Sequence, residues 1–429
     1  MLDHLAADVL IVAAHEQVAR ALSVGLGDLG WFTITATDPG SALAVIEDLD
    51  IKIVIIDMAS NDPGQLSLPE KLRAACHPRI LPILGLSPPA TLREAHSFDL
   101  ILATPAEALQ LDFRIGPMVR MAMAKEELGL RLTTLARLGG AMSELPRVSE
   151  RGCVLSVGEP GPQVLSLANR LREQGLDVIS ALTPNSAFDY LHGRTFDAVV
   201  IWGGQDDPAA LSLARGVRRN SQIYHTPIIL MTTERSSDDL KIAYGLGVSD
   251  VASPECPVDE TAHRILELAR SFRDLRVTQD QLSRALGDQD ILPWTTFSTH
   301  METLTQAAGE RMRPLSVCIL RLADGRASDL ALTNALDQAG SMIRRLIRIE
   351  DCMARLDATS FAVLMPATPT DYARIAGERI RSVLACAAFD GAAGKGHVVL
   401  DFKVGVAGIS NGETVAASLN RAAEDAQAS

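Results

Sequence analysis

The sequence predicts an α/β protein in which two doubly wound, parallel-sheet domains precede an α+β domain with an antiparallel sheet. Three observations carry this. The chain has 429 residues with ordinary globular usage, 47% hydrophobic and 22% charged, and at roughly 100 to 200 residues per domain that length holds two to four cores. Short Val- and Ile-rich runs recur at one constant offset through the first two thirds. Beyond about residue 288 the order of elements changes from alternating strand and helix to strand, helix, hairpin, helix, strand.

The repeat pairs Val9-Leu10-Ile11-Val12 with Val154-Leu155-Ser156-Val157, Ile53-Val54-Ile55-Ile56 with Ala198-Val199-Val200-Ile201, and Pro82-Ile83-Leu84 with Pro227-Ile228-Ile229. Each run is short, apolar and bounded by polar, Gly or Pro residues, as strands buried on both faces of a parallel sheet are. Amphipathic stretches at 17–29 and 163–174 supply helices between them. One duplicated domain explains the shared offset; the alternative is two unrelated α/β domains with the same period. The functional residues of such sheets lie at the carboxyl ends of the strands.

Two long amphipathic helices follow the repeats. Met118 to Leu138 joins the copies before Gly139-Gly140, and Asp259 to Gly287 extends the second copy into a stalk. Then come a helical stretch to about Gln306, a strand at 315–320, a helix at 330–347, paired strands at 352–356 and 361–365, a helix at 369–384, two strands within 398–409, and a closing helix. The implied domains are 1–140, 150–275 and 285–429.

A formal net charge of -13 repels phosphate backbones and argues against a nucleic-acid partner, so an anionic ligand would need its own local basic pocket. The six cysteines are scattered, with no CxxC pair and no clustering with histidine, which speaks against zinc or a disulfide framework and fits a reducing cytosol. The apolar start at 9–14 lacks a basic leader and is too short to span a bilayer, so no membrane span and no targeting segment are expected.

The two repeats resemble response-regulator receiver domains. That family uses two acids after the first strand to hold Mg²⁺, a phosphoacceptor Asp after the third, Ser or Thr after the fourth and Lys-Pro after the fifth, the hydroxyl and ammonium neutralising the transferred phosphoryl oxygens. In the first copy Ala13-Ala14 replaces the acids, Asp57 matches the phosphoacceptor, Ser87 matches the hydroxyl, and Thr104-Pro105 stands for Lys-Pro. In the second, Gly158-Glu159 replaces the acids, Trp202 the nucleophile, Thr232 keeps the hydroxyl, and Ser253-Pro254 has no lysine. Asp57 is thus a candidate phosphoacceptor or a leftover strand-end aspartate, and the second copy is expected to accept no phosphate. A dimerisation or docking face would survive the loss of that chemistry.

The segment Asp351 to Pro366 resembles the core of GGDEF-type diguanylate cyclases, which read Arg-x-Gly-Gly-Asp/Glu-Glu-Phe. The frame is kept and the signature is not. Asp357 and Ala358 stand for the glycines, Thr359 for the metal-binding acid and Ser360 for the glutamate. Ala358 is expected to strain the turn and to fill the space glycine leaves for phosphate. Arg321 replaces the second metal-binding carboxylate, Ser341 the guanine-reading Asp and Ala423 a phosphate-contacting lysine. The resemblance therefore implies no catalytic residues, no metal, no cofactor and no enzyme activity. A cyclase with rearranged ligands would need carboxylates near Arg321 and Thr359, with Asp324 as the one candidate.

Arg348-Ile349-Glu350-Asp351 lies just upstream, at the spacing of the family's Arg-x-x-Asp site for cyclic di-GMP. The same bare pattern occurs at Arg194, Arg235, Arg321 and Arg326, so position carries the assignment. A guanidinium donates twice to guanine O6 and N7, and a carboxylate accepts from guanine N1 and N2 protons. By the resemblance, Arg379, with Arg374 upstream on the same helix, completes the ligand set Arg348, Asp351, Arg379 and Arg374. Alternatively these are solvated helix arginines beside a strand-start aspartate. The whole order of domains is similar to the PopA group of cyclic di-GMP effectors. It implies a cytoplasmic protein that can sit at the cell pole, a homodimer, and an adaptor in cell-cycle control. Its receiver-like domains would recruit partner proteins, including delivery to a regulated protease. A ligand-independent scaffold and a residual cyclase are the other readings.

Overall fold

The computed structural model describes residues 8–58, 63–88, 97–104, 106–140, 151–203, 208–220, 222–233, 236–287, 291–311, 313–323, 330–390 and 397–428. The chain divides into two compact units. One contains Met1–Ala75, Leu81–Ala122 and Pro146–Val277, the other Cys76–Ile80, Met123–Leu145 and Thr278–Ser429.

The first unit begins with β1 (Val9–Val12), α1 (Glu16–Gly27), β2 (Thr33–Ala36), α2 (Pro39–Asp48), β3 (Ile53–Asp57), α3 (Pro63–Cys76), β4 (Ile83–Ser87), β5 (Leu100–Ala103) and α4 (Ala108–Arg137). The strands form a parallel sheet in the order β2-β1-β3-β4-β5, a doubly wound order with its functional edge at the strand carboxyl ends. The apolar runs read from sequence are the central strands, and every residue of β1 and β3 is buried.

The second copy repeats it with β6 (Cys153–Val157), α5 (Pro162–Glu173), β7 (Asp177–Ala181), α6 (Pro184–Gly193), β8 (Ala198–Trp202), α7 (Pro208–Arg219), β9 (Ile228–Met231), α8 (Ser237–Gly245), β10 (Asp250–Ala252) and α9 (Val258–Arg284). Its sheet runs β10-β9-β8-β6-β7, the same order read from the other edge. The repeat reaches the helix caps. Asp38 before Pro39 and Thr183 before Pro184 each close a capping box, with Ser41 and Ser186, so the hydroxyls and the carboxylate satisfy first-turn N–H groups that no intrahelical carbonyl reaches.

Helix α4 starts at Ala108 rather than Met118 and carries Pro117 inside it. An internal proline costs a helix roughly 3 kcal/mol, but Leu109 and Phe113 of the added turns pack against the core of the second sheet. Arg114 reaches Asp250 of β10 at 3.1 Å, and Arg264 holds the same buried carboxylate from α9.

The second unit adds α10 (Trp294–Arg311), β11 (Leu315–Leu322), α11 (Leu330–Leu346), β12 (Cys352–Asp357), β13 (Ser360–Pro366), α12 (Thr370–Ala385), β14 (Phe389–Asp390), β15 (His397–Val398), β16 (Phe402–Gly408) and α13 (Val415–Ala428). Its four-stranded antiparallel sheet runs β12-β13-β11-β16, and β14 with β15 forms a separate ribbon. Alternation along β11 feeds two cores. Cys318 and Leu320 face α11 and α12, whereas Val317 and Ile319 face α10 and α13. Among the described residues no helix is long and apolar enough to cross a membrane.

Candidate functional site

The Arg348–Asp351 segment is the short connection between α11 and β12. Two guanidiniums fix the end of α11 from outside the turn. Arg344 Nη1 donates to Arg348 O at 3.1 Å, and Arg379 Nη2, from α12, donates to Leu346 O at 2.8 Å. The turn is closed by its own residues, the Arg348 N–H donating to Asp351 Oδ2 at 2.8 Å. Its side chains then separate by environment. Arg348 is exposed, whereas Asp351 is buried and its Oδ1 has no partner.

Burial drives the Asp351 carboxyl upward, against the Arg348 N–H and guanidinium that favour its charged form, and leaves it at about 7. The turn therefore holds a buried acceptor without a partner among the described residues, beside the exposed Arg348 guanidinium, a combination suited to a planar ligand with both a donor and an acceptor edge.

The carbonyl side of the turn is held by Arg131, from the last third of α4. Its Nη2 donates to Glu350 O at 2.8 Å, to Ile349 O at 3.1 Å and to Asp351 O at 3.4 Å. Its Nη1 donates to Leu282 O at 2.7 Å, and its Nε to Glu127 Oε1 at 2.8 Å. Glu127 also meets His300 Nε2 of α10 at 3.0 Å, and His300 Nδ1 lies 2.9 Å from Thr134 Oγ1. Burial raises the Glu127 carboxyl, but His300 and Arg131 outweigh it and hold it below the usual range. Sequence reasoning missed this network. The Glu127/Arg131 spacing of four residues hinted at a pair on one helix face, but nothing in the linear pattern showed that the face is buried.

Of the four ligand residues expected from sequence, the structure brings Arg348, Asp351 and Arg379 to one turn and does not bring Arg374. Five residues apart, Arg374 and Arg379 lie about 140° from each other around α12. Arg374 is instead paired at 2.8 Å with Asp425 of α13, whose carboxylate also accepts the Val406 N–H.

The hairpin at the degenerate signature departs from the expected strain. Ala358 is not in the left-handed region; among the described residues the non-glycine position there is Ala367. Asp357 folds the turn instead. Its Oδ1 accepts from Thr359 N at 2.7 Å and Thr359 Oγ1 at 3.0 Å, and its Oδ2 accepts from Ser360 Oγ at 3.0 Å. Arg355 donates to the Asp357 and Ala358 carbonyls while pairing with Asp337. An Asp closing its own backbone turn needs no positive φ, which is why Ala358 fits. Arg321 Nε lies 3.4 Å from Ser360 Oγ. Asp324 and Arg326 lie outside the described residues.

In the first receiver-like domain, Asp57 and Ser87 end the adjacent strands β3 and β4, both buried, with Ala13 at the end of β1. Thr104 follows β5 and donates its N–H to Ser87 O at 2.9 Å; Pro105 lies outside the described residues. In the second, Trp202 ends β8 and its indole N–H donates to Ser156 Oγ at 3.1 Å. Thr232, buried, follows β9. Groups of three or more His, Cys, Asp or Glu able to hold a metal are absent among the described residues.

Comparison with known proteins agrees with this arrangement of domains. The family model for the diguanylate cyclase GGDEF domain matches residues 333–428. The response regulator PleD of Caulobacter vibrioides is 23% identical over 443 residues, covering 98% of this chain and 96% of that protein. Among solved structures, the GGDEF domain of FimX from Pseudomonas aeruginosa is 20% identical, with a TM-score of 0.30, over 32% of this chain and 88% of that one. A putative response regulator from Chloroflexus aurantiacus is 17% identical, with a TM-score of 0.27, over 28% of this chain and 99% of that one. The chain thus joins receiver-like domains to a GGDEF-like domain.

Proposed function

We propose that this protein is a cyclic di-GMP-binding effector that makes no cyclic di-GMP, an adaptor of the kind the PopA group represents. The observation that carries the reading is the Arg348–Asp351 turn: a buried carboxylate with one oxygen unpartnered, an exposed guanidinium three residues before it, and Arg379 converging from α12. Guanine supplies the matching edges, N1–H and N2–H for the carboxylate and O6 with N7 for an arginine fork. A net charge of -13 over the whole chain makes this local basic group selective for a small anion over nucleic acid.

The absence of turnover rests on the hairpin tip, where Asp357 spends its carboxylate on its own turn and Arg321 occupies the place of the second acid. Output would be recruitment of partner proteins through the receiver-like domains, as a homodimer. Calorimetric titration of the purified protein with cyclic di-GMP tests the reading: saturable binding is expected, with no product from GTP and Mg²⁺ or Mn²⁺. No binding would hand the protein to the scaffold reading, and product would restore the cyclase.

A further inference from the structure

The turn that carries Arg348 and Asp351 contributes almost nothing to its own rigidity. It is closed by the bond from the Arg348 N–H to Asp351 Oδ2, and the three carbonyls of Ile349, Glu350 and Asp351, the first two part-buried and the last buried, all accept from one group. One side chain from a distant part of the sequence supplies them all. We propose that Arg131 is the positioning residue of the ligand turn, and that the second half of α4 thereby sets the affinity of the site. This rests on the cyclic di-GMP reading above.

Each nitrogen of the Arg131 guanidinium is committed. Nη2 has two hydrogens for the carbonyls of Ile349, Glu350 and Asp351, so the bonds are shared and the three oxygens are drawn to one point. That convergence curls the backbone and turns the Asp351 side chain back over the Arg348 N–H. Nη1 is tied to the last turns of α9 through Leu282 O. Nε is tied to Glu127, which His300 and Thr134 brace in turn. A fork held at all three nitrogens and almost wholly buried cannot follow the turn if the turn moves. It holds the turn where it is.

A bound guanine needs the Asp351 carboxylate and the Arg348 guanidinium at fixed separation, and a misplacement of a fraction of an ångström in such a pair is costly. Without Arg131, one buried and two part-buried carbonyls lose their donor, the turn opens toward water, and the cost of ordering it weakens ligand binding. Whatever moves the second half of α4 moves the anchor of this turn.

The test uses the full chain with cyclic di-GMP as titrant, in the wild type, Arg131→Ala and Glu127→Gln, each with and without Asp351→Ala. Amide hydrogen exchange at 349–352 is followed without ligand. Arg131→Ala should weaken binding on the order of tenfold and speed exchange of the turn. Glu127→Gln, which keeps the shape and removes the charge that orients Nε, should shift both readouts the same way by less. In the Asp351→Ala background the Arg131→Ala loss should largely vanish, because there is no longer a carboxylate to position. Unchanged affinity in folded Arg131→Ala, or a full additional loss on top of Asp351→Ala, overturns the proposal; if Arg131→Ala does not fold, Glu127→Gln decides on the same readouts. Failure of the wild type to bind is a different result, which sinks the ligand reading itself and this inference with it.

Discussion

The Arg348 N–H and the Asp351 carboxylate close a turn at 2.8 Å, and the carboxylate oxygen left over, Oδ1, is buried without a partner. An acid in that position resists ionising, and burial raises it to about 7. The sign follows from comparison with the unfolded chain, where an aspartate titrates near ~3.9. Between those values the folded protein keeps a proton that the unfolded chain has lost, so this group's contribution to stability falls as pH rises from about 4 to about 7 and levels off above. Ligand binding runs the other way, since guanine N–H donors need the ionised form. Affinity for cyclic di-GMP should tighten between pH 6 and 8, by at most about tenfold per unit below 7, with proton release. Asp351→Asn should flatten the profile. A flat wild-type profile in calorimetry across that range would count against the carboxylate's role.

Substitutions around the turn should separate ligand contacts from bystanders. Arg348→Ala should cost roughly 1 to 3 kcal/mol of binding, one to two decades in Kd, without unfolding the protein. Arg379→Ala should weaken binding and, if the ligand bridges two faces as a stacked pair, lower the number bound per chain. Arg374→Ala should leave affinity unchanged, because its guanidinium is committed to Asp425 on another side of α12. Arg194→Ala, which removes the arginine of the same bare pattern in the second receiver-like domain, should also do nothing. Wild-type affinity in Arg348→Ala is the outcome that the reading could not survive.

Asp57 should accept phosphate slowly or not at all. It is buried at the end of β3 beside Ser87, but Ala13 and Ala14 offer Mg²⁺ no carboxylate and Thr104 offers no ammonium, so the charge of the transferred group goes unneutralised. Incubation with a small phosphodonor, followed by intact-mass measurement, checks this; rapid stoichiometric labelling that disappears in Asp57→Asn would show the opposite.

Gly158→Ala should destabilise the second receiver-like domain by about 1 to 3 kcal/mol. Gly158 has a φ of 146°, and a Cβ there would come within 2.8 Å of Trp202 Cβ. Chemical denaturation gives the cost, and adding Trp202→Ala should not return it, because alanine keeps the Cβ that Gly158→Ala would meet. An unshifted midpoint in the single variant would mean that the loop relaxes freely.

The sheets were legible because their signal is redundant. Buried parallel strands are continuous apolar runs, and the constant offset aligned two copies of three of them; the matching caps at Asp38 and Thr183 emerged only in the structure. The turn at Arg348 was found by its position relative to Asp357 through Phe361, which a linear frame can carry. Other features depend on contacts between distant parts of the chain. Helix α4 begins ten residues before the Met118 expected from sequence, and Leu109 and Phe113 offset the internal Pro117 by packing. Arg374 looked equivalent to Arg379 until Asp425 was seen to take it. Ala358 looked strained because the family uses glycine there, although Asp357 turns the chain by a different device.

The sharing of α4 between the two units bears on how the third domain can be excised. A fragment cut at residue 285, where the sequence places its start, would leave behind Glu127, Arg131 and Thr134. His300 would then sit in an apolar wall facing water that its own helix was never shaped to admit, and the carbonyls of Ile349, Glu350 and Asp351 would be left to solvent. The wall around Phe297, Met301 and Leu304 would lose Leu130 as its cover. Such a fragment would show the nucleotide turn in a relaxed form and would understate its affinity, so the isolated domain is the wrong reference against which to judge the intact chain.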